Sequence, residues 1–260
     1  MQRPFMSANA SINGISLYYE IHGEGDMPLV LIHGGGSTIE TSFGNLLPLL
    51  TGKLIAVELQ AHGRTSDREA PETFEQDADD VAALMKQLKI DKANFLGFSN
   101  GGTTTLQIAI RHPELVNKIV VIAGAYKRNG FIPGFFEGMD NVTIENMPAP
   151  LQEAYLKLNP GNQSGLLRMF EKDRQRMIGF KDMNEEDLEK ITAPALLMVA
   201  DKDVITAEHT LGMSKLLPNG QLAILPGIHG SFIGEVCTIK KDSKLIQVTA
   251  TLVEEFLAIM

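Results

Sequence analysis

From residue 29 onward the chain places short apolar runs at intervals, each followed by a loop and a stretch of helical periodicity. The runs cover 29–33, 54–57, 93–96, 118–123, 195–200 and 221–225. A strand that is apolar on both faces must be covered on both, and a helical crossover returns the chain to begin a further strand in the same direction. The alternation therefore predicts a parallel sheet with helices on both faces. Ahead of it, 8–12 and 15–21 read as two strands joined by Asn13-Gly14, a dipeptide that tolerates the positive φ angles of a tight hairpin. The expected class is α/β, with an eight-stranded, mostly parallel sheet.

Helices are marked by their start and stop signals. Thr73-x-x-Gln76 has the form of a capping box ahead of a face made by Ala78, Val81, Leu84, Met85 and Leu88. Further helices are expected at 100–111, stopped by Pro113, at 206–217, stopped by Pro218, and at 242–259. Residues 126–191 break the pattern: they contain no convincing strand, several Gly and Pro, and helical periodicity at 151–158, 166–178 and 185–191. This stretch reads as a helical cap inserted into a core formed by 1–125 and 192–260. It is rich in Met and Phe, side chains that either pack the insertion onto the core or line an adaptable apolar pocket. Phe135, Met139, Met169 and Phe170 are the pocket candidates. Lys127, Arg128 and Arg168 are the cations there that could select a carboxylate, and solvated surface positions are expected for them.

At 260 residues, 44% apolar and 21% charged, the chain fits one globular core with an insertion. Its formal charge of -9 and lack of any Lys/Arg run exclude nucleic acid or an anionic membrane surface as an expected partner. Residues 1–14 carry Arg3 but no continuous apolar stretch, so neither a signal peptide nor a membrane anchor is read and a cytoplasmic location is expected. The single cysteine, Cys237, excludes a disulfide within the chain and a multi-thiolate metal site. It has no neighbouring histidine in sequence and reads as a buried structural residue.

Chemistry concentrates in four segments. Gly97-Phe98-Ser99-Asn100-Gly101 lies between an apolar run and a helix start. A serine on such a turn needs a strained backbone and neighbours small enough to let helix and strand approach, and it presents Oγ at a helix N-terminus. His33-Gly34-Gly35-Gly36 follows another apolar run. A loop without side chains lets main-chain N–H groups face an oxyanion, and Gly35 N–H with Asn100 N–H is the predicted pair. No phosphate-loop lysine is present. Serine needs a base, and the base needs an orienting acid. Of six histidines, His229 follows the final strand, in a loop at the carboxyl edge where sites of parallel sheets collect. The loop after the penultimate strand, Ala200-Asp201-Lys202-Asp203, offers two aspartates for the acid.

Serine, aspartate and histidine in this chain order resemble the α/β-hydrolase family, from about residue 8 to the C-terminus. The resemblance selects Asp203 as the acid, leaves Asp201 to cap its loop, and makes His33 structural, since the base follows the acid. It implies a serine hydrolase without cofactor or metal, acting on a small-molecule substrate, in which Ser99 attacks a carbonyl and His229 shuttles the proton. A carboxylic ester or lactone is the expected bond. Serine rather than aspartate at the elbow argues against dehalogenases and epoxide hydrolases, and Gly-Gly-Gly-Ser rather than Gly-Gly-Pro-Gly after His33 argues against proline iminopeptidases. The alternatives on the same triad are a slow-turnover ligand receptor, a cofactor-free haloperoxidase and a carbon–carbon bond hydrolase. Two departures stand in the 58–66 turn, where Glu58 and Ala61 replace the usual Asp and Gly, and Ala200 replaces a usual glycine.

Overall fold

The computed structural model describes residues 4–240 and 242–258; Arg3 and the last expected helical residue, Ile259, lie outside the described residues. Eight strands form one sheet: β1 (Met6–Ile12), β2 (Ile15–His22), β3 (Leu29–Ile32), β4 (Leu54–Val57), β5 (Ala93–Phe98), β6 (Val116–Ile122), β7 (Ala195–Lys202) and β8 (Gly220–Ile228). The spatial order is β1-β2-β4-β3-β5-β6-β7-β8. β1–β2 and β2–β4 pair antiparallel and every other neighbour pairs parallel. The β1–β2 turn has Asn13 at φ 44° and Gly14 at φ 87°, the left-handed pair its dipeptide announces.

The helices are α1 (Ile39–Phe43), α2 (Phe74–Gln87), α3 (Asn100–Arg111), α4 (Phe135–Met139), α5 (Ala149–Leu158), α6 (Gln163–Ile178), α7 (Glu185–Glu189), α8 (Ala207–Leu216) and α9 (Leu245–Ala258). Alternation along β3 shows why both faces are covered. Val30 and Ile32 pack with α2 (Ala78, Val81, Leu84) and α3 (Leu106, Ile108), whereas Leu29 and Leu31 pack with Phe43 of α1 and Val253 and Phe256 of α9. No helix of the described residues is long and apolar enough to cross a membrane.

Several boundaries differ from the sequence expectation. β7 and β8 run past their apolar stretches because their ladder continues, through a register shift, to Lys202 opposite Ile228. β6 stops one residue early because Ala123 takes φ 50°. The last helix starts at Leu245 rather than 242, since Asp242 is left-handed at φ 63°. At α2 only half of the capping box forms: Thr73 Oγ1 accepts from Gln76 N at 3.0 Å, but the Gln76 amide donates forward to Asp80 at 2.9 Å. Between β6 and β7 the described chain holds helices and a single isolated bridge, Phe131 to Ile205.

Phe95 is fully buried at the centre of β5. Phe95→Ala is expected to destabilise the protein by about 3–5 kcal/mol, from lost transfer energy plus a residual cavity. A urea midpoint that does not move would contradict this account of the core.

Candidate active site

Ser99 sits between β5 and α3 with φ 55° and ψ −119°, a conformation that L residues avoid. Contacts on both sides hold it there. A Cβ on Gly97 would lie 2.0 Å from the Gly101 carbonyl oxygen, and one on Gly101 would lie 2.1 Å from that of Ile32. Only glycine lets α3 leave the strand at this angle, and Ser99 N–H is anchored to Ile122 O at 2.8 Å.

The structure brings the three predicted side chains into one line. His229 Nε2 lies 3.0 Å from Ser99 Oγ, and His229 Nδ1 lies 2.6 Å from Asp203 Oδ1. A carboxylate only accepts, so Nδ1 carries the proton and Nε2 is free to take the one on Oγ. Of the two candidate aspartates, Asp203 is the one that faces His229. Asp203 is buried and its Oδ1 also accepts from Ile205 N at 3.2 Å, while Asp201 Oδ1 accepts from Gly227 N at 2.7 Å and ties its own loop. Phe98 packs on the His229 ring, centroids 4.8 Å apart.

Gly35 and Asn100 both line the cavity beside Ser99. Neither N–H has an acceptor among the hydrogen bonds of the described residues, whereas Gly34 N–H is taken by Ser42 Oγ and Gly36 N–H by Asp173. His33 is structural: it is fully buried, Leu59 N–H donates to its Nε2 at 3.0 Å, and burial lowers its pKa to about 3, which keeps the ring neutral. Glu58, longer than the aspartate it replaces, is buried and accepts from Arg64 N, Nε and Nη2 at 2.7, 3.0 and 2.6 Å, so this departure from the family turn is a packing matter.

The cavity encloses about 340 Å³ and is mainly apolar, with Phe131, Phe135, Met139, Met147, Phe170 and Met177 on its wall. Three of the four expected pocket residues are there. Met169 is not: it is fully buried against Ala61, Leu151 and Leu166 in a small separate core. Successive residues on a helix point about 100° apart, so Phe170 facing the cavity turns Met169 away from it. Lys127, Arg128 and Arg168 are likewise off the wall, and Arg128 lies instead over the Phe136 ring. Cys237 is exposed rather than buried, because its loop leaves the core after Glu235. Partial burial and the Glu235 carboxylate push its thiol up to about 12, far from nucleophile range.

The sequence reading missed a charged cluster behind the Gly-rich loop. Asp173 of α6 reaches across to His62 Nε2 at 2.9 Å and Gly36 N at 2.5 Å, and pairs with Arg176. Arg176 also binds Asp77 at 2.7 Å, with Glu72 3.6 Å from both Arg176 and His62. His62, Glu72 and Asp173 place possible ligand atoms within 4.8 Å of one another, but the guanidinium of Arg176 already supplies a cation among them. Burial would lower the His62 pKa, yet Asp173 and Glu72 raise it to about 9. Burial would raise Asp173, yet Arg176 and His62 hold it well below the usual carboxylate range. Glu72 is pushed up by burial against the pull of Arg176. The available signal was the pair Asp173 and Arg176 on the same α6 face as Leu166, Met169 and Met177, charges where the helical period calls for apolar residues.

Known proteins share this fold. Residues 27–166 match the model of the alpha/beta hydrolase fold, and the chain belongs to that family. It is 29% identical over 258 residues to human serine hydrolase BPHL, covering 91% of this chain and 85% of that protein. It is 25% identical over 229 residues to the 2-hydroxymuconate semialdehyde hydrolase of Pseudomonas putida, covering 78% and 81%. A solved serine hydrolase involved in carbazole degradation, the CarC enzyme, superposes with a TM-score of 0.78 at 22% identity, covering 97% of this chain and 98% of that one.

The charged cluster makes stability depend on pH. The folded pKa of His62 lies above its unfolded value of about 6.5, so its stabilisation is complete below that pH and is lost as pH rises through about 9. Glu72, also raised, acts in the same sense. The thermal midpoint is therefore expected to fall between pH 6.5 and 9.5, and to fall less in His62→Gln. A midpoint that holds or rises over this range contradicts the reading.

Proposed function

We propose that this protein is a serine hydrolase that cleaves a neutral carboxylic ester or lactone through an acyl-enzyme. The observation that carries the reading is the Ser99–His229–Asp203 line of hydrogen bonds ending beside two unclaimed N–H donors. His229 Nε2 removes the Oγ proton as Ser99 attacks the carbonyl carbon. The carbonyl oxygen becomes an oxyanion facing Gly35 N–H and Asn100 N–H, where preorganised donors are worth most. The Nε2 proton then passes to the leaving alkoxide, and a water, deprotonated by the same nitrogen, attacks the acyl-enzyme and restores Ser99. Asp203 keeps the imidazole in the tautomer that accepts at Nε2 and balances the imidazolium when it forms. The helical stretch 126–191 acts as the cap over this site, shielding the oxyanion from water.

The preference for neutral substrates follows from the charges on the wall. Asp173 borders the cavity, and its own partners His62 and Arg176 are taken up in pairing with it, so neither is offered to a substrate carboxylate. Arg174 also borders it, but its guanidinium is held by Glu171 at 3.0 and 2.9 Å and by Met139 O at 3.2 Å. A second reading, carbon–carbon bond hydrolysis on the same triad, is supported by the likeness to 2-hydroxymuconate semialdehyde hydrolase.

The test is turnover of a chain-length series of neutral esters and lactones against their ω-carboxylated counterparts, with Asp203→Asn and Asp201→Asn alongside. Sustained turnover is expected, with neutral substrates preferred by about tenfold or more in kcat/KM. Asp203→Asn is expected to lower kcat by roughly 10³–10⁴-fold, and Asp201→Asn to leave it within about threefold. A single slow burst with no further turnover would support the receptor alternative instead, and preferred turnover of carboxylated substrates would overturn the neutral-ester reading.

A further inference from the structure

The two donors proposed for the oxyanion belong to different elements, and the sheet does not fix their spacing. The β3–β5 ladder ends with Ile32 opposite Gly97, so Gly35 and Asn100 both lie beyond the last paired residues. One carboxylate spans the gap. Asp173 Oδ2 accepts from Gly36 N–H at 2.5 Å, the residue following one donor, and Asp173 Oδ1 accepts from the side-chain amide of Asn100 at 3.2 Å, the residue of the other donor. Gly35 is packed between the same groups: a Cβ there would lie 2.5 Å from Asn100 Nδ2 and 3.1 Å from Asp173 Oδ2.

A bare carboxylate at this place would oppose the negative charge that forms on the substrate oxygen. Here it is balanced. Asp173 is paired with His62 and with Arg176, which is itself buried and held by Asp77. Three carboxylates, Glu72, Asp77 and Asp173, face two cations, and burial raises Glu72 to about 8, so with Glu72 protonated at neutral pH the cluster fixes Asp173 without a net negative charge behind the loop.

Resting on the reading of Ser99 as the nucleophile, we infer that Asp173 is a positioning residue for the oxyanion hole. It braces the Gly-rich loop and the elbow from α6, so that seating the cap helix and aligning the two donors are one event. Asp173 gives the oxyanion no hydrogen bond of its own; it sets the distance between the groups that do. Loss of the brace therefore acts on the transition state more than on bound substrate.

The experiment compares Asp173→Asn, Asn100→Ala and the double variant with the parent protein, using p-nitrophenyl butyrate as substrate. Two inhibitors accompany it: an alkyl trifluoromethyl ketone, which forms an oxyanion on Ser99, and the corresponding alcohol, which does not. Asn100→Ala keeps both main-chain donors and the whole ionic cluster, so it isolates the tie even if Asp173→Asn does not fold. Each single variant is expected to lose about 10–100-fold in kcat with KM within about threefold. The ketone is expected to weaken in parallel with kcat while the alcohol binds unchanged. The double variant should be no worse than the less active single, because the tie that Asn100→Ala cuts is one that Asp173→Asn already disturbs. Unchanged kcat in a folded variant, a rise in KM alone, or losses that multiply in the double variant would each overturn the brace. Full activity in Ser99→Ala would overturn the serine reading itself, a result separable from any of these.

Discussion

Everything at the site depends on how closely α3 is allowed to approach β3 and β5. The helix begins immediately after Ser99 and crosses so near the sheet that Gly101 has no room for a side chain against the Ile32 carbonyl. That approach forces Ser99 into a left-handed conformation, a strain of about 1–3 kcal/mol that persists because the surrounding ladder over-determines it. It also places Oγ at the carboxyl edge of the sheet, where the β7 and β8 loops deliver Asp203 and His229. The fold is thus the means by which residues far apart in sequence meet within hydrogen-bonding distance.

The second organising element is ionic. Burying His62, Glu72, Asp77, Asp173 and Arg176 together carries a desolvation cost of several kcal/mol for each ion left charged, and only mutual pairing offsets it. Apolar side chains of similar volume would fill the space at lower risk. The cluster instead joins α6 to the turn after β4, to the start of α2 and to the Gly-rich loop, which apolar contacts would do without fixing direction. Hydrogen bonds have direction, and the Gly-rich loop needs it.

The legible part of the molecule was the part written in local pattern. Apolar runs located six strands, Asn13-Gly14 marked the hairpin of the other two, and the elbow glycines announced the close crossing. Ser99, His229 and the loop bearing Asp203 were readable because each follows a strand at the same sheet edge. What escaped was set by long-range geometry. Met169 and Phe170 are neighbours of similar character, and the rotation of α6 sends one into a separate core and the other to the cavity. The Asp173 cluster joins segments separated by most of the chain, and its one local trace was a pair of charges on an otherwise apolar helical face.

The central claim is that Ser99 is an activated nucleophile, and covalent labelling tests it most directly. A fluorophosphonate reacts readily only with a serine that has both a base and an oxyanion hole. Peptide mapping of the labelled protein by mass spectrometry is expected to find one stoichiometric adduct, on Ser99, and none after Ser99→Ala. An adduct on another residue, or labelling that survives Ser99→Ala, would contradict the account.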